Sequence, residues 1–166
     1  MNLIICGSSG SGKSSAIKLV LAQIREPIYG FWTEKLVPDS EGSCPVYMHG
    51  CTEPLSYAHL IGRCKDRHAE RFPDVFDDVG VKFLSGIPEE SFVLMDEIGF
   101  MENDAAEFIK AIFAILDGNY RVIAAVRDKA TPLLDAIRSH PKSVCIHAEE
   151  TRSKNFITQA LDVLKP

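Results

Sequence analysis

A short run near the N-terminus has the residue types that bind a nucleotide phosphate. It consists of Gly7, Ser8, Ser9, Gly10, Ser11, Gly12, Lys13, Ser14 and Ser15, and its first eight residues match G-x-x-x-x-G-K-[ST]. Glycines let the backbone curl so that successive N–H groups face phosphate oxygens. Lys13 can reach the β- and γ-phosphates, and the Ser14 hydroxyl can ligate Mg²⁺. The alternative is an ordinary Ser/Gly turn, but an apolar strand before the run and an amphipathic helix after it favour phosphate binding.

An acidic pair, Asp96 and Glu97, directly follows the apolar residues 92–95. Ligands of open parallel sheets bind beyond the carboxyl ends of the strands, where the glycine-rich run also lies. We therefore predict that Asp96 holds Mg²⁺, directly or through water. Glu97 has the chemistry to orient and deprotonate the water that attacks a γ-phosphate. Two solvated carboxylates at a strand end are the alternative, which the glycine-rich run makes the weaker one.

A single arginine, Arg127, ends the next apolar segment, residues 121–126. From a strand end it could approach the γ-phosphate and stabilise charge in the transition state. A surface salt bridge explains the same residue equally well. The sequence leaves both interpretations open.

The elements that must position these groups follow from the hydrophobic pattern. Strands are predicted over residues 3–6, 28–37, 92–95, 121–126 and 144–147, and helices over 75–84, 104–116, 132–139 and 153–164. A further helix runs from Gly12 to the residues before Pro27, with one apolar face. A turn at 38–42 and an extended piece at 46–48 indicate a β-hairpin. Short apolar strands that alternate with helices predict an α/β three-layer fold, a parallel sheet with helices on both faces.

Length and composition limit the classes of protein to which this chain can belong. The 166 residues are enough for one domain, which we assign to residues 1–166. A net charge of −5 argues against a nucleic-acid surface, and no apolar run is long enough to cross a membrane. The N-terminus lacks signal-peptide features and the five cysteines are scattered, so we expect a cytoplasmic protein with reduced thiols.

Two features outside the motifs have competing explanations. Cysteines and histidines are dense between Cys44 and His68, but their spacings match no structural zinc pair, so scattered thiols are the better interpretation. Trp32 could stack on a base, although packing in the core is favoured. The pattern of residues 44–75 does not decide whether they form an acceptor, metal or partner site, and residues 50–73 show no clear element.

The chain resembles the small nucleoside-triphosphatases first described in thermophiles, the family of the human cancer-related nucleoside-triphosphatase. The segments GSSGSGKSS, YGFWTEKL, FVLMDEIGFMEN and RVIAAVRDK occur in the order and spacing of that family. Two of them contain the hallmarks G-F-[YWF]-T and D-E-I-G-x-M-E. The resemblance covers most of the chain and is weakest over residues 40–75.

The resemblance implies a RecA-like P-loop fold and Mg²⁺-dependent hydrolysis of ATP, GTP and other NTPs to NDP and phosphate. It also implies the roles given above to Lys13, Ser14, Asp96 and Glu97. This chain departs from the family at Phe100, where lysine is frequent, and at residues 125–129, where the family commonly has T-x-H-R-K.

Two other classes of function remain open. The first is a nucleotide or small-molecule kinase on the same fold, which would need an acceptor pocket built from residues 44–75. The second is a non-catalytic module whose nucleotide state switches a partner surface. The sequence identifies nucleoside triphosphates as ligands but identifies no protein partner.

Overall fold

The computed structural model describes residues 1–66 and 68–165. These residues form one sheet of eight strands: β1 (Asn2–Gly7), β2 (Ile28–Lys35), β3 (Cys44–Gly50), β4 (Leu60–Lys65), β5 (His68–Arg71), β6 (Phe92–Ile98), β7 (Arg121–Arg127) and β8 (Ser143–His147). The α-helices are α1 (Lys13–Leu21), α2 (Pro73–Val75), α3 (Val81–Phe83), α4 (Ala106–Asp117), α5 (Pro132–Arg138) and α6 (Phe156–Val163). A π-helical turn, Phe76–Gly80, joins α2 to α3, and 3₁₀ turns cover Met101–Asp104 and Glu150–Arg152.

The strands of the sheet follow the order β5-β4-β3-β2-β6-β7-β1-β8. Strand β1 pairs in parallel with β7 and β8, and β6 pairs in parallel with β2 and β7. Every residue of β1 is buried, as expected for a parallel strand that is covered on both faces. The predicted α/β three-layer fold is confirmed.

The remaining strands β3, β4 and β5 extend the sheet from β2 by antiparallel pairing, and we call them the antiparallel extension. The predicted hairpin corresponds to β2 and β3. Strands β4 and β5 were not predicted, because residues 60–71 are polar and, of those that the structure describes, only Ile61 and Gly62 are buried. One face of these strands lies against the protein and the other is solvated, so the apolar signal is weak.

Helices cover both faces of the sheet, each over its own buried cluster. One face packs against α4 and the residues of α2 and α3, where the ring of Phe108 lies 5.4 Å from that of Phe31 and 5.3 Å from that of Phe76. The other face packs against α1 and α6 through residues that include Ile17 and Phe156. Because β1, β6 and β7 run parallel, their carboxyl ends lie at one edge of the sheet. The predicted helix over 75–84 is present as α2, the π turn and α3.

In the described part of the chain, no helix combines the length and the apolar character that crossing a bilayer requires.

Candidate functional site

The glycine-rich run forms a tight loop between β1 and α1. Gly12 has a φ of 100°, a left-handed conformation that glycine adopts without strain, and α1 begins at the next residue. Gly7 lies in close contact with its surroundings, since an added Cβ would be 2.4 Å from Ser11 Oγ and 2.9 Å from Ala148 Cβ. The first turn of a helix leaves N–H groups without intrahelical partners. The loop therefore presents backbone donors at an edge of the sheet.

The Lys13 ammonium group lies inside this loop. Its Nζ donates to the carbonyl oxygens of Gly7 at 3.0 Å and Ser8 at 2.8 Å. The side chain is almost fully buried, and Nζ is 3.7 Å from Glu97 Oε2. A buried lysine of this kind is a fixed positive charge at the place where the loop would hold phosphate oxygens.

Ser14 and Asp96 meet at the start of α1, although 82 positions separate them in the sequence. The Ser14 hydroxyl donates to Asp96 Oδ1 at 3.1 Å. Burial raises the pKa of Asp96, and the hydrogen bond from Ser14 opposes that rise. A hydroxyl beside a carboxylate is the oxygen donor set that Mg²⁺ uses at sites completed by substrate phosphates and water. In residues 1–66 and 68–165, no three His, Cys, Asp or Glu side chains are grouped so that they could hold a metal ion.

A bulge in β6 changes the direction in which the Glu97 side chain points relative to that of Asp96. Asp96 lies opposite Ala125 of β7 and Ile98 lies opposite Val126, so Glu97 is an extra residue in the ladder. Neighbouring residues of a regular strand point to opposite faces, and a bulge changes the direction of a side chain. Both carboxylates therefore reach the glycine-rich loop. The sequence showed the acidic pair but not the bulge that lets both residues act together.

Arg127 pairs with Glu97 at this edge. Its Nε donates to Glu97 Oε1, while the other carboxylate oxygen of Glu97 faces Lys13. The Arg127 side chain runs over Gly99, and its Cζ lies 5.5 Å from the centre of the Phe100 ring. The sequence left open whether Arg127 stabilises charge in the transition state or forms a surface salt bridge. In the structure Arg127 forms an ion pair, and this pair lies inside the site rather than at a remote surface.

Glu102 is a buried carboxylate in the 3₁₀ turn that follows β6. Its Oε2 accepts the N–H of Gly99 at 3.0 Å, which ties the 3₁₀ turn back to the end of β6. Burial raises the pKa of Glu102 to about 7, with a smaller contribution from Glu97. Backbone hydrogen bonds, including the one from Gly99, oppose the rise more than Arg127 does. The acidic residue five positions after Glu97 was visible in the sequence, but its burial was not.

A cleft of about 250 Å³ opens beside these groups. Ser14, Glu97 and Arg127 lie at its inner end, and the antiparallel extension forms its outer wall. Residues Ser8, Ser9, Gly10 and Ser15 are exposed at the loop and the first turn of α1. Trp32 does not line this cleft: its ring lies 4.3 Å from that of His49, and it packs at the margin of the cluster below α1.

Comparisons with known proteins show the family to which this chain belongs. The family model described as NTPase matches residues 2–161. A nucleoside-triphosphatase THEP1 of Thermotoga petrophila is 26% identical over 99% of this chain and 93% of its own length. One of Metallosphaera sedula is 30% identical over 76% of this chain and 71% of its own length.

Two solved structures share the fold. The crystal structure of THEP1 from Aquifex aeolicus has a TM-score of 0.77 and 22% identity, with both chains fully covered. The solution structure of a human cancer-related nucleoside triphosphatase has a TM-score of 0.65 and 18% identity, and covers 98% of this chain and 94% of that one. Strands, helices and the order of the elements are therefore similar across these chains.

Proposed function

The chain belongs to the NTPase family and is a nucleoside-triphosphatase, and from this premise we propose that it hydrolyses ATP, GTP and other NTPs to NDP and phosphate with Mg²⁺. One observation carries the proposal: the Glu97 carboxylate lies at the glycine-rich loop between two cations, Lys13 and Arg127. A carboxylate at this position can orient a water and take its proton. The proposed setting is the cytoplasm, as the composition indicates.

Each part of the site has its own proposed role in the reaction. The loop from Gly7 to Gly12 and the N-terminal end of α1 bind the triphosphate through backbone N–H groups. Lys13 leaves its carbonyl partners to contact the β- and γ-phosphates, as its position in the loop allows. Glu97 accepts the proton of the attacking water. Arg127 then places positive charge where negative charge develops on the γ-phosphoryl group.

Ser14 and Asp96 would hold the metal. When bound, Mg²⁺ supplies charge neutralisation at the phosphate oxygens. The Asp96 carboxylate accepts a hydrogen bond from Ser14, which fixes both groups at the start of α1. Their contact supports this assignment, since neither group has to move far to share one cation.

The test measures phosphate release from ATP, GTP, CTP and UTP with Mg²⁺, for the natural protein and for Glu97→Gln. Glutamine keeps the size and one acceptor oxygen of Glu97 but removes its basicity. We expect turnover to fall by about 10²-fold or more, while nucleotide affinity, measured in parallel, changes by less than about threefold. Glu107→Gln is the matched control, because Glu107 is an exposed residue of α4 whose ion pair, within the described residues, is with Lys110.

Two results would contradict the proposal. The first is equal turnover in Glu97→Gln and the natural protein, which would remove Glu97 from the reaction. The second is tight nucleotide binding with no phosphate release from any NTP, which would favour a nucleotide-switched binding module. Where phosphate is released, the spread of rates across the four nucleotides measures base selectivity.

A further inference from the structure

The cleft beside Glu97 extends beyond the residues that would carry out hydrolysis, to β2 and the antiparallel extension. Its volume is about 250 Å³, whereas a single water needs roughly 10–15 Å³ of such space. The γ-phosphoryl group and Mg²⁺ would also fill part of its inner end, at Ser14, Glu97 and Arg127, but the part beside β2 and the antiparallel extension has no role in that proposal. The volume is that of a small organic molecule.

The lining of the cleft has two different ends. Val46 of β3, Ile61 of β4 and Met101 form an apolar wall on the outer side. Thr33 and Lys35 of β2 lie beside this wall, and Lys35 has no ion-pair partner in the described part of the chain. An apolar wall with one hydroxyl and one unpaired ammonium group suits an organic molecule that carries an anionic group.

The inner end of the same cleft contains the groups that would act on the γ-phosphoryl group. Ser14, Glu97 and Arg127 line it directly. Because Lys35 and Glu97 line the same cleft, a molecule whose anionic group contacts Lys35 can extend towards Glu97. Any hydroxyl at that end stands where the attacking water would stand.

We propose that this cleft is an acceptor subsite for a small hydroxyl compound bearing a phosphate or carboxylate, which receives the γ-phosphoryl group in place of water. The hydroxyl oxygen forms a bond to the γ-phosphorus as the bond from the γ-phosphorus to the β–γ bridging oxygen breaks. Glu97 takes the hydroxyl proton, and NDP leaves. The inference rests on the proposed role of Glu97 as a base, and it adds a transfer reaction to the hydrolysis.

The experiment incubates the full chain with Mg²⁺ and γ-labelled ATP in the presence of defined probes. Glycerol 3-phosphate and ribose 5-phosphate test a phosphate-bearing acceptor, and glycerate tests a carboxylate-bearing one. Glycerol is the uncharged control. The measured quantity is the ratio of labelled organic phosphate to labelled inorganic phosphate.

Lys35→Gln tests the anchor. We expect at least one anionic probe to give a ratio that is higher than with glycerol, and we expect Lys35→Gln to lower that ratio about tenfold, the effect of one charge-assisted contact. Lys65→Gln is the matched control, because Lys65 is an exposed lysine at the end of β4 that does not line this cleft. It should leave the ratio unchanged.

Each other outcome overturns the subsite. If no anionic probe yields more organic product than glycerol while ATP is hydrolysed through Glu97, the acceptor subsite is wrong and the hydrolase assignment stands. A ratio that is the same in Lys35→Gln and Lys65→Gln would also remove the subsite. If neither hydrolysis nor transfer occurs, the proposed role of Glu97 fails with it.

Discussion

The two ends of the cleft are built from different parts of the sheet and differ in how their charged side chains are paired. At the inner end, on β6 and β7, the Glu97 carboxylate lies between the Lys13 ammonium and the Arg127 guanidinium. At the outer end, on β2 and the antiparallel extension, Lys35 stands beside an apolar wall without such a network. Charges that are partly buried and share partners depend strongly on one another, whereas exposed charges are screened by water and salt.

This difference reflects how the strands meet. The carboxyl ends of parallel strands lie at one edge, so side chains from distant parts of the sequence converge there. Strands of the antiparallel extension run in alternating directions, and their side chains form a wall rather than a convergent group. Substitutions at the inner end should therefore affect the reaction most, and substitutions at the outer rim least.

The largest effect is expected for Arg127→Ala. Removing the guanidinium takes away a partner of Glu97 and a positive charge near the γ-phosphoryl position, so turnover should fall about 10²- to 10³-fold. Arg127→Lys should retain part of the rate, because a lysine keeps the charge but not the planar fork. Steady-state phosphate release and nucleotide affinity should be measured on both variants.

Arg121→Ala is the control for that comparison. Arg121 starts the same strand at its opposite end, where it pairs with Glu26 at 3.3 Å, and its loss should leave turnover unchanged. The double variant Glu97→Gln/Arg127→Ala should lose little more activity than the worse single one, since both residues act as a unit. Fully additive losses would show that Arg127 acts independently of Glu97.

A smaller effect is expected for Glu102→Gln, and it depends on pH. Burial places the pKa of Glu102 at about 7 in the folded protein, above its ordinary value of 4.5. The folded state then holds this proton more tightly than the unfolded state, so this group lowers the free energy of unfolding as pH rises from about 4.5 to 7. The change is roughly 3 kcal/mol for a shift of this size, and it persists above pH 7.

Glutamine in place of Glu102 should flatten that pH dependence while its amide oxygen still accepts the Gly99 N–H. Urea unfolding at pH 5, 6, 7 and 8 is the measurement. The variant should be more stable than the natural protein at pH 8 and similar to it at pH 5. If the free energy of unfolding changes equally with pH in the two proteins, Glu102 is not the source of the pH dependence.

A modest effect is expected for Phe100→Leu. The Phe100 ring lies 5.5 Å from Arg127 Cζ and 4.6 Å from Lys129 Nζ, which are cation–π contacts. Such contacts are worth about 0.5–1 kcal/mol at exposed sites, so turnover should fall by about two- to fivefold with little change in KM. Phe100→Tyr keeps the aromatic face and should restore the rate. Equal rates for the leucine and tyrosine variants would exclude this role of the ring.

The smallest effect is expected in the antiparallel extension, for Arg63→Gln. Arg63 pairs with Asp39 at 3.3 Å, and both side chains are more than one-third exposed. An exposed pair contributes little to stability, so Tm should change by less than about 2 °C. Turnover should stay at the level of the natural protein. A loss of activity here would show that the outer rim and the inner end are coupled.

Local patterns made the parallel part of the fold predictable. The apolar run of β1, the amphipathic spacing of α1 and the glycine-rich residues between them are close neighbours in the sequence, and their positions follow from backbone geometry. Strands β4 and β5 were missed because a half-solvated strand carries few apolar residues. The limits of α4 moved only from 104–116 to Ala106–Asp117, since a 3₁₀ turn occupies the predicted start.

By itself, the sequence determined the fold class, the glycine-rich loop between β1 and α1 and the order of the candidate residues, because each depends on groups within a few positions of one another. Only the tertiary structure decided which of them touch. Glu97 meets Arg127 across 30 positions because β6 and β7 pair in parallel with a bulge at Glu97. Long-range contacts of this kind depend on strand register and packing, which no short stretch of residues encodes.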